Sequence, residues 1–390
     1  MQSFYRWNNI AGWICFAIAA IVYGLTIEPT SSWWDCGEFI SAANGLQVVH
    51  PPGAPLFLML GRFFALFAGD NLQQVSVMVN MMSAIMSALT ILFTFWIATY
   101  YASRIIKPEN NFGLISVIGA GLVAALTLTF IDTFWFSAVE AEVYASSSFF
   151  TMITFWCILK WERVADEAGS SRWLILIAYL IGLAIGVHLL NLLVIPAIVY
   201  VVYFRKYKFS IGGFLLANLI GLGILGFVQV GIIPGIPTLA AKFDLTFVND
   251  FGLPFGSGAI FLLSSIFALV AFFIFYTSRK GKIIWNTILL AFAFCCIGYS
   301  SYIMVVVRSL AEPPIDMNNP EQPFSLVSYL NREQYGDRPL LYGPYFNAEI
   351  SSYEEGKQRY RKGEEKYLPA GKDFEYVYNK KYMTFFPRMG

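Results

Sequence analysis

Long apolar runs separated by short polar connections set the pattern of this chain. Runs near 9–27, 75–101, 113–131, 140–160, 172–188, 189–204, 211–234, 257–277 and 284–306 each approach the length of helix that crosses a bilayer core. Backbone in lipid must satisfy its own hydrogen bonds, so the pattern predicts an all-α polytopic membrane protein with about nine transmembrane helices. A further run at 53–69, containing PLFLMLGRFFALFA, is short, opens on prolines and carries Arg62 in its middle. It reads as a juxtamembrane or re-entrant helix rather than a crossing.

Basic residues give the orientation. Arg104 and Lys107, then Lys160, Arg163 and Arg172, then Arg205, Lys206 and Lys208, then Arg279, Lys280 and Lys282 fall in four short loops, each two spans from the next. Short loops rich in Lys and Arg stay cytoplasmic, so the N-terminus is expected inside and the C-terminus outside, with 53–69 not crossing. A transmembrane domain at 1–307 would then carry an external loop at 28–74. Residues 308–390, rich in Tyr, Pro, Asn and both charge signs, would form an external segment that begins a larger soluble domain. Its run EEGKQRYRKGEEK reads as a solvated face or flexible loop.

The same parity collects the unusual polar residues on the external side. Asp35 and Glu38 stand three apart near the start of a helix expected within 35–48, which places both carboxylates on one face. Asp-x-x-Glu is equally the spacing of a capping box, so a general base and a helix cap are both open readings. His50-Pro51-Pro52-Gly53-Ala54-Pro55 cannot continue that helix and holds His50 on a stiff turn. Glu140 and Glu142 lie at the mouth of the next external helix, where its dipole alone would favour them. His188 and Asn191 fall at an outer turn between two spans, and Arg308 ends the last span; a tight helix-helix turn and a snorkelling arginine are the structural readings of these.

Composition narrows the classes. The chain of 390 residues is 57% hydrophobic and 13% charged, with mean hydropathy +0.60. A net charge of +1 without a long basic tract argues against nucleic acid as a partner. No GxxxxGK[ST] loop is present for ATP. Four of the five cysteines lie within apolar runs, so they make neither a disulfide framework nor a zinc pattern; Cys36 reads as a small buried residue. Acids at the ends of spans rather than their middles weigh against a secondary transporter. That reading and a non-catalytic cell-envelope membrane protein remain as alternatives to an enzyme.

The order Asp35…Glu38, then His50-Pro51-Pro52 after the first span, resembles the first external loop of GT-C-class glycosyltransferases, protein O-mannosyltransferases in particular. WDCGEF, HPPGAP, FWFSAVEAEVY, GVHLLNLL and SYLNREQYGDRPLLYG resemble a Bacteroidetes family of large membrane proteins. That family is related to the vertebrate transmembrane O-mannosyltransferase of plexin-type receptors. The resemblance implies juxtamembrane helices in the first external loop and transfer of a mannose-like sugar from a polyprenyl-phosphate donor to hydroxyls of exported proteins. Its setting would be a bacterial inner membrane with a periplasmic active-site face. By motif position Asp35 would be the base, although Cys36 and Gly37 interrupt the family's adjacent Asp-Glu pattern and leave Asp35 or Glu38 open. His50, Arg62 and Arg308 would serve the phosphate, and Glu140, Glu142, His188 and Asn191 the remaining substrate contacts. The lipid donor makes a nucleotide site unnecessary, and no cofactor or divalent metal is expected.

Overall fold

The computed structural model describes residues 2–336, 339 and 341–387. Its helices are α1 (Gln2–Leu25), α2 (Cys36–Gly45), α3 (Pro55–Ala65), α4 (Gln74–Ile105), α5 (Asn111–Thr129), α6 (Asp132–Ala138), α7 (Val143–Val164) and α8 (Ser171–Ile185). There follow α9 (Val194–Lys206), α10 (Ile211–Gly226), α11 (Ile236–Asn249), α12 (Ser257–Arg279), α13 (Ile283–Tyr299), α14 (Ile303–Ser309) and α15 (Pro323–Leu330). Among the described residues, 8 helical stretches are long and apolar enough to cross a membrane. The chain is a multi-pass membrane protein of helical class.

Eight stretches rather than nine follow from α8. Its 15 residues rise only about 22 Å, short of a ~30 Å hydrocarbon core. The 53–69 run is the helical stretch Pro55–Ala68, also shorter than a span, as its prolines and Arg62 predict. A second difference concerns 211–234, where the sequence pattern ends the span at Pro234. Instead residues Phe227–Gly235 wind as a π-helix and the helical stretch continues to Asn249. Widening the turn accommodates the missing proline N–H without breaking the rod.

The chain divides into two compact units: residues 1–49, 53–229 and 269–316, and residues 50–52, 230–268 and 317–390. In the first, α4 is the central helix, with α1, α5 and α7 packed on it. Small residues Ser83, Ala84, Ser87 and Ala88 on its buried face let neighbours approach closely, the usual device where lipid supplies no hydrophobic drive. Gly182 of α8 and Gly298 of α13 face each other so closely that a Cβ at either would overlap the other helix's backbone. Phe112, Ile115 and Val123 of α5 stay exposed, as expected of side chains meant for lipid.

The second unit packs α15 on α11 and carries two antiparallel strand pairs. One joins Tyr342–Pro344 to Met383–Phe385, the other Ile350–Lys362 to Tyr367–Tyr378. The mixed-charge run at 354–366 is therefore a strand and its turn rather than a flexible loop, though most of it is solvated. Pairing the strand backbones overrides a sequence whose both faces are polar, and Lys372–Glu355 and Arg359–Asp373 pair charges across the hairpin. Parts of the SYLNREQYGDRPLLYG motif, residues 337, 338 and 340, lie outside the described residues.

Candidate active site

The site is built around α2 in the first unit. Cys36, Phe39, Ile40, Ala42 and Ala43 form its buried face, and the Phe39 ring meets Phe57 of α3 edge-on at 5.2 Å. Gly61 of α3 lies so near α2 that a Cβ there would come within 2.9 Å of the Ala43 methyl. This fixes the short helix on its neighbour.

Asp35 occupies the N-cap position of α2, yet its side chain makes no capping hydrogen bond. The capping-box reading thus lacks its first half. Asp35 is exposed and Glu38 half-buried, and each offers a carboxylate oxygen within 4.8 Å of one from the other. Two carboxylates at that spacing can hold a cation between them or serve an incoming hydroxyl.

Beneath them, Cys36 is fully buried, and its thiol lies 3.7 Å from Glu140 Oε2 and 3.9 Å from Glu142 Oε1. One S–H can donate to only one of these at a time. Both glutamates are buried, in the turn between α6 and α7, where the Glu140 carbonyl accepts from the Glu142 amide at 2.9 Å. Glu142 is also the N-cap of α7 and accepts from the Val143 amide at 3.2 Å, so the dipole reading holds for this residue. The thiol, read from sequence as mere filler, joins the first loop to a turn more than 100 residues away. Only its neighbours in space, not its spacing in the chain, could have shown this.

Burial, reinforced by the Glu140 and Glu142 charges, pushes the Cys36 thiol well above its ordinary range. Cys36 is therefore neutral near pH 7. The stability this confers is present below the ordinary thiol pKa and lost as pH rises above it. Maleimide at about pH 8 should leave Cys36 unmodified in the folded protein and label it once unfolded, read by peptide mass spectrometry.

Two arginines close the other end of α2. Arg62 donates to the Asn44 carbonyl at 2.5 Å and to Asn44 Oδ1 at 3.0 Å. Arg308 donates through Nε to the Leu46 carbonyl at 2.6 Å and through a terminal nitrogen to that of Gly45 at 3.1 Å. Three successive carbonyls at the negative end of the helix are thus covered by cations. Arg308 is anchored on α2 rather than snorkelling.

Asn191 is buried, its Oδ1 accepting from Ser147 at 2.9 Å and Thr151 at 2.8 Å while Nδ2 donates to the Ala184 carbonyl at 3.3 Å. The Asn191 oxygen is filled by two hydroxyls, and the side chain pins the turn after α8 to α7. His188, half-buried, accepts through Nδ1 from the Leu190 amide at 3.3 Å and lies edge-on to Tyr144, ring centres 5.5 Å apart. His50 belongs to residues 50–52 of the second unit, is half-buried and precedes the cis Pro51–Pro52 bond.

Residues 35–211 match the family model described as the Protein O-mannosyl-transferase TMEM260 N-terminal domain. A protein O-mannosyl-transferase tmem260 of Dictyostelium discoideum is 28% identical over 193 residues, 47% of this chain and 22% of that one. The chain is related to these proteins. The TMEM260 protein O-mannosyl-transferase of Mus musculus is 26% identical over 195 residues, 50% of this chain and 25% of its own. The matched segment thus spans a quarter or less of either TMEM260 relative. The family match begins at Asp35, and every candidate side chain except Arg308 falls inside it. Residues 336–390 match a family of unknown function, DUF8416. No solved structure matches.

Proposed function

We propose that this chain is the membrane part of a GT-C-type glycosyltransferase. It would move a mannose-like sugar from a polyprenyl-phosphate donor to Ser or Thr hydroxyls of exported proteins. The observation that carries the reading is the Asp35–Glu38 pair, whose carboxylate oxygens lie within 4.8 Å of one another at a helix N-terminus that Asp35 does not cap.

The acceptor oxygen attacks the anomeric carbon as its proton passes to Asp35, with Glu38 the alternative base. The bond from that carbon to the phosphate oxygen breaks on the opposite face, so the anomeric centre inverts. The electron pair leaves on the polyprenyl phosphate, and the reaction balances without a nucleotide or a metal. Arg62 and Arg308 stand at the far end of α2 with N–H groups beyond those bonded to its carbonyls, and they are assigned to the departing phosphate. Glu140 and Glu142 support the carboxylate pair from below through Cys36, and His188 is assigned to the rim of the substrate cleft. The setting is a bacterial inner membrane, N-terminus cytoplasmic, active-site face and C-terminus periplasmic. This orientation counts the short α8 as a ninth crossing, because the basic loops before α8 and after α9 share one face only if both helices cross.

The test is transfer from a polyprenyl-phosphate-linked mannose to a Ser/Thr-containing exported protein by the folded chain in bilayers, with the product anomer read by NMR. Transfer with inversion is expected. Retention of configuration would sink the single displacement, and no transfer from any lipid-linked sugar would leave the transporter and envelope-protein readings ahead.

A further inference from the structure

At the other end of α7 the bundle opens a cavity that the proposed chemistry does not use. From Glu142 to Glu162 that helix rises about 30 Å, the thickness of a hydrocarbon core, so this cavity opens at the opposite end from the carboxylates. Its volume is about 900 Å³, between α4, α7 and α9.

The lining is divided by chemistry. Leu159 of α7 and Ala197, Val201 and Phe204 of α9 make an apolar wall. Arg104, Arg163 and Arg205, each in or next to the last turn of its helix, gather at the end of that wall with Glu162 among them. Three cations face one carboxylate. Arg104 takes that carboxylate at 2.9 Å, whereas Arg205 uses its Nε on the Glu162 carbonyl at 3.0 Å and pairs outward with exposed Asp166. Arg163 lies over the Tyr100 ring, 4.6 Å from its centre, and pairs with no carboxylate among the described residues. Stacking leaves the in-plane N–H groups of a guanidinium available to an acceptor.

A cavity with an apolar wall running along spanning helices and a cationic rim where they end fits an amphiphile with an anionic head. We propose that it binds an anionic phospholipid of the surrounding bilayer, with the acyl chains along Ala197 and Val201 and the phosphodiester against Arg163 and Arg205. A free phosphate would satisfy the rim but leave the wall without a partner. This site is independent of the sugar-transfer reading.

The test titrates the detergent-purified chain with phosphatidylglycerol, phosphatidylcholine and inorganic phosphate by native mass spectrometry. Wild type is expected to prefer phosphatidylglycerol. Arg163→Gln combined with Arg205→Gln should weaken that binding about thirtyfold, because two guanidinium charges no longer attract the phosphodiester. Ala197→Phe fills the wall, leaves the rim charges intact and should abolish lipid binding even where the double variant folds poorly. Equal affinity for the two lipids, or binding that survives Ala197→Phe, would overturn the proposal. Inorganic phosphate binding as tightly as the lipid would also overturn it, in favour of a soluble anion.

Discussion

Asp35→Asn should lower sugar transfer by about 10²–10⁴-fold, the range a positioned general base contributes, while melting temperature and folded yield stay at wild-type values. The asymmetry follows from the geometry. Asp35 is exposed and its side chain makes no capping hydrogen bond at the start of α2. Asn keeps size and hydrogen-bonding capacity but not basicity, so a fall in turnover without a fall in stability isolates the proton transfer. Glu38→Gln, measured alongside, divides the labour. If only Asp35→Asn loses transfer, Asp35 is the base and Glu38 tunes it; if only Glu38→Gln does, the roles exchange. Should both variants match wild type, the base would have to be sought at Glu140 or Glu142.

Asp244→Ala should destabilise the second unit by about 3 kcal/mol or more, because it strands several buried donors at once. Asp244 is fully buried in α11. It accepts from the amides of Gly256 and Gly258 at 3.0 Å, from that of Ala259 at 3.4 Å, and from the Tyr367 hydroxyl at 2.7 Å. One carboxylate thus holds the start of α12 and the first residue of a hairpin strand together. Asn249 reinforces the join, exchanging two 2.9 Å hydrogen bonds with the Tyr367 backbone. Loss of amide-exchange protection and faster proteolysis confined to residues 350–378 are the expected readouts, with sugar transfer as a separate measurement. Unchanged protection in that hairpin would show that the join contributes little.

Burial, and next the hydrogen bond to Asp244, raise the Tyr367 phenol above its ordinary range. The stability it lends is present below the ordinary phenol pKa and lost as pH rises above it. Tyr367→Phe should remove that alkaline dependence at a smaller cost than Asp244→Ala, since one donor disappears and the carboxylate keeps three.

Sequence reading reached most of the helices, since a run of about twenty apolar residues has one stable form in lipid. It failed where local rules met tertiary ones. Pro234 is a helix breaker by chain logic, yet a π-helical turn carries the rod past it to Asn249. The apolar run at 172–188 has the composition of a span, but helix proper stops at Ile185. The charged run at 354–366 gave no strand signal because both faces of that hairpin meet water.

The sequence by itself determined the membrane class, the short helix at 55–68 that Arg62 and its prolines keep from spanning, and the carboxylate spacing of Asp35 and Glu38. Each of these is a property of residues a few positions apart, where helix period and proline sterics act directly. Only the tertiary structure decided that Cys36 meets Glu140 and Glu142, that Arg62 and Arg308 close one helix end, and that Asp244 holds Tyr367. Most of these partners lie more than 100 residues apart in the chain, and their meeting depends on how whole helices pack, which no local pattern encodes.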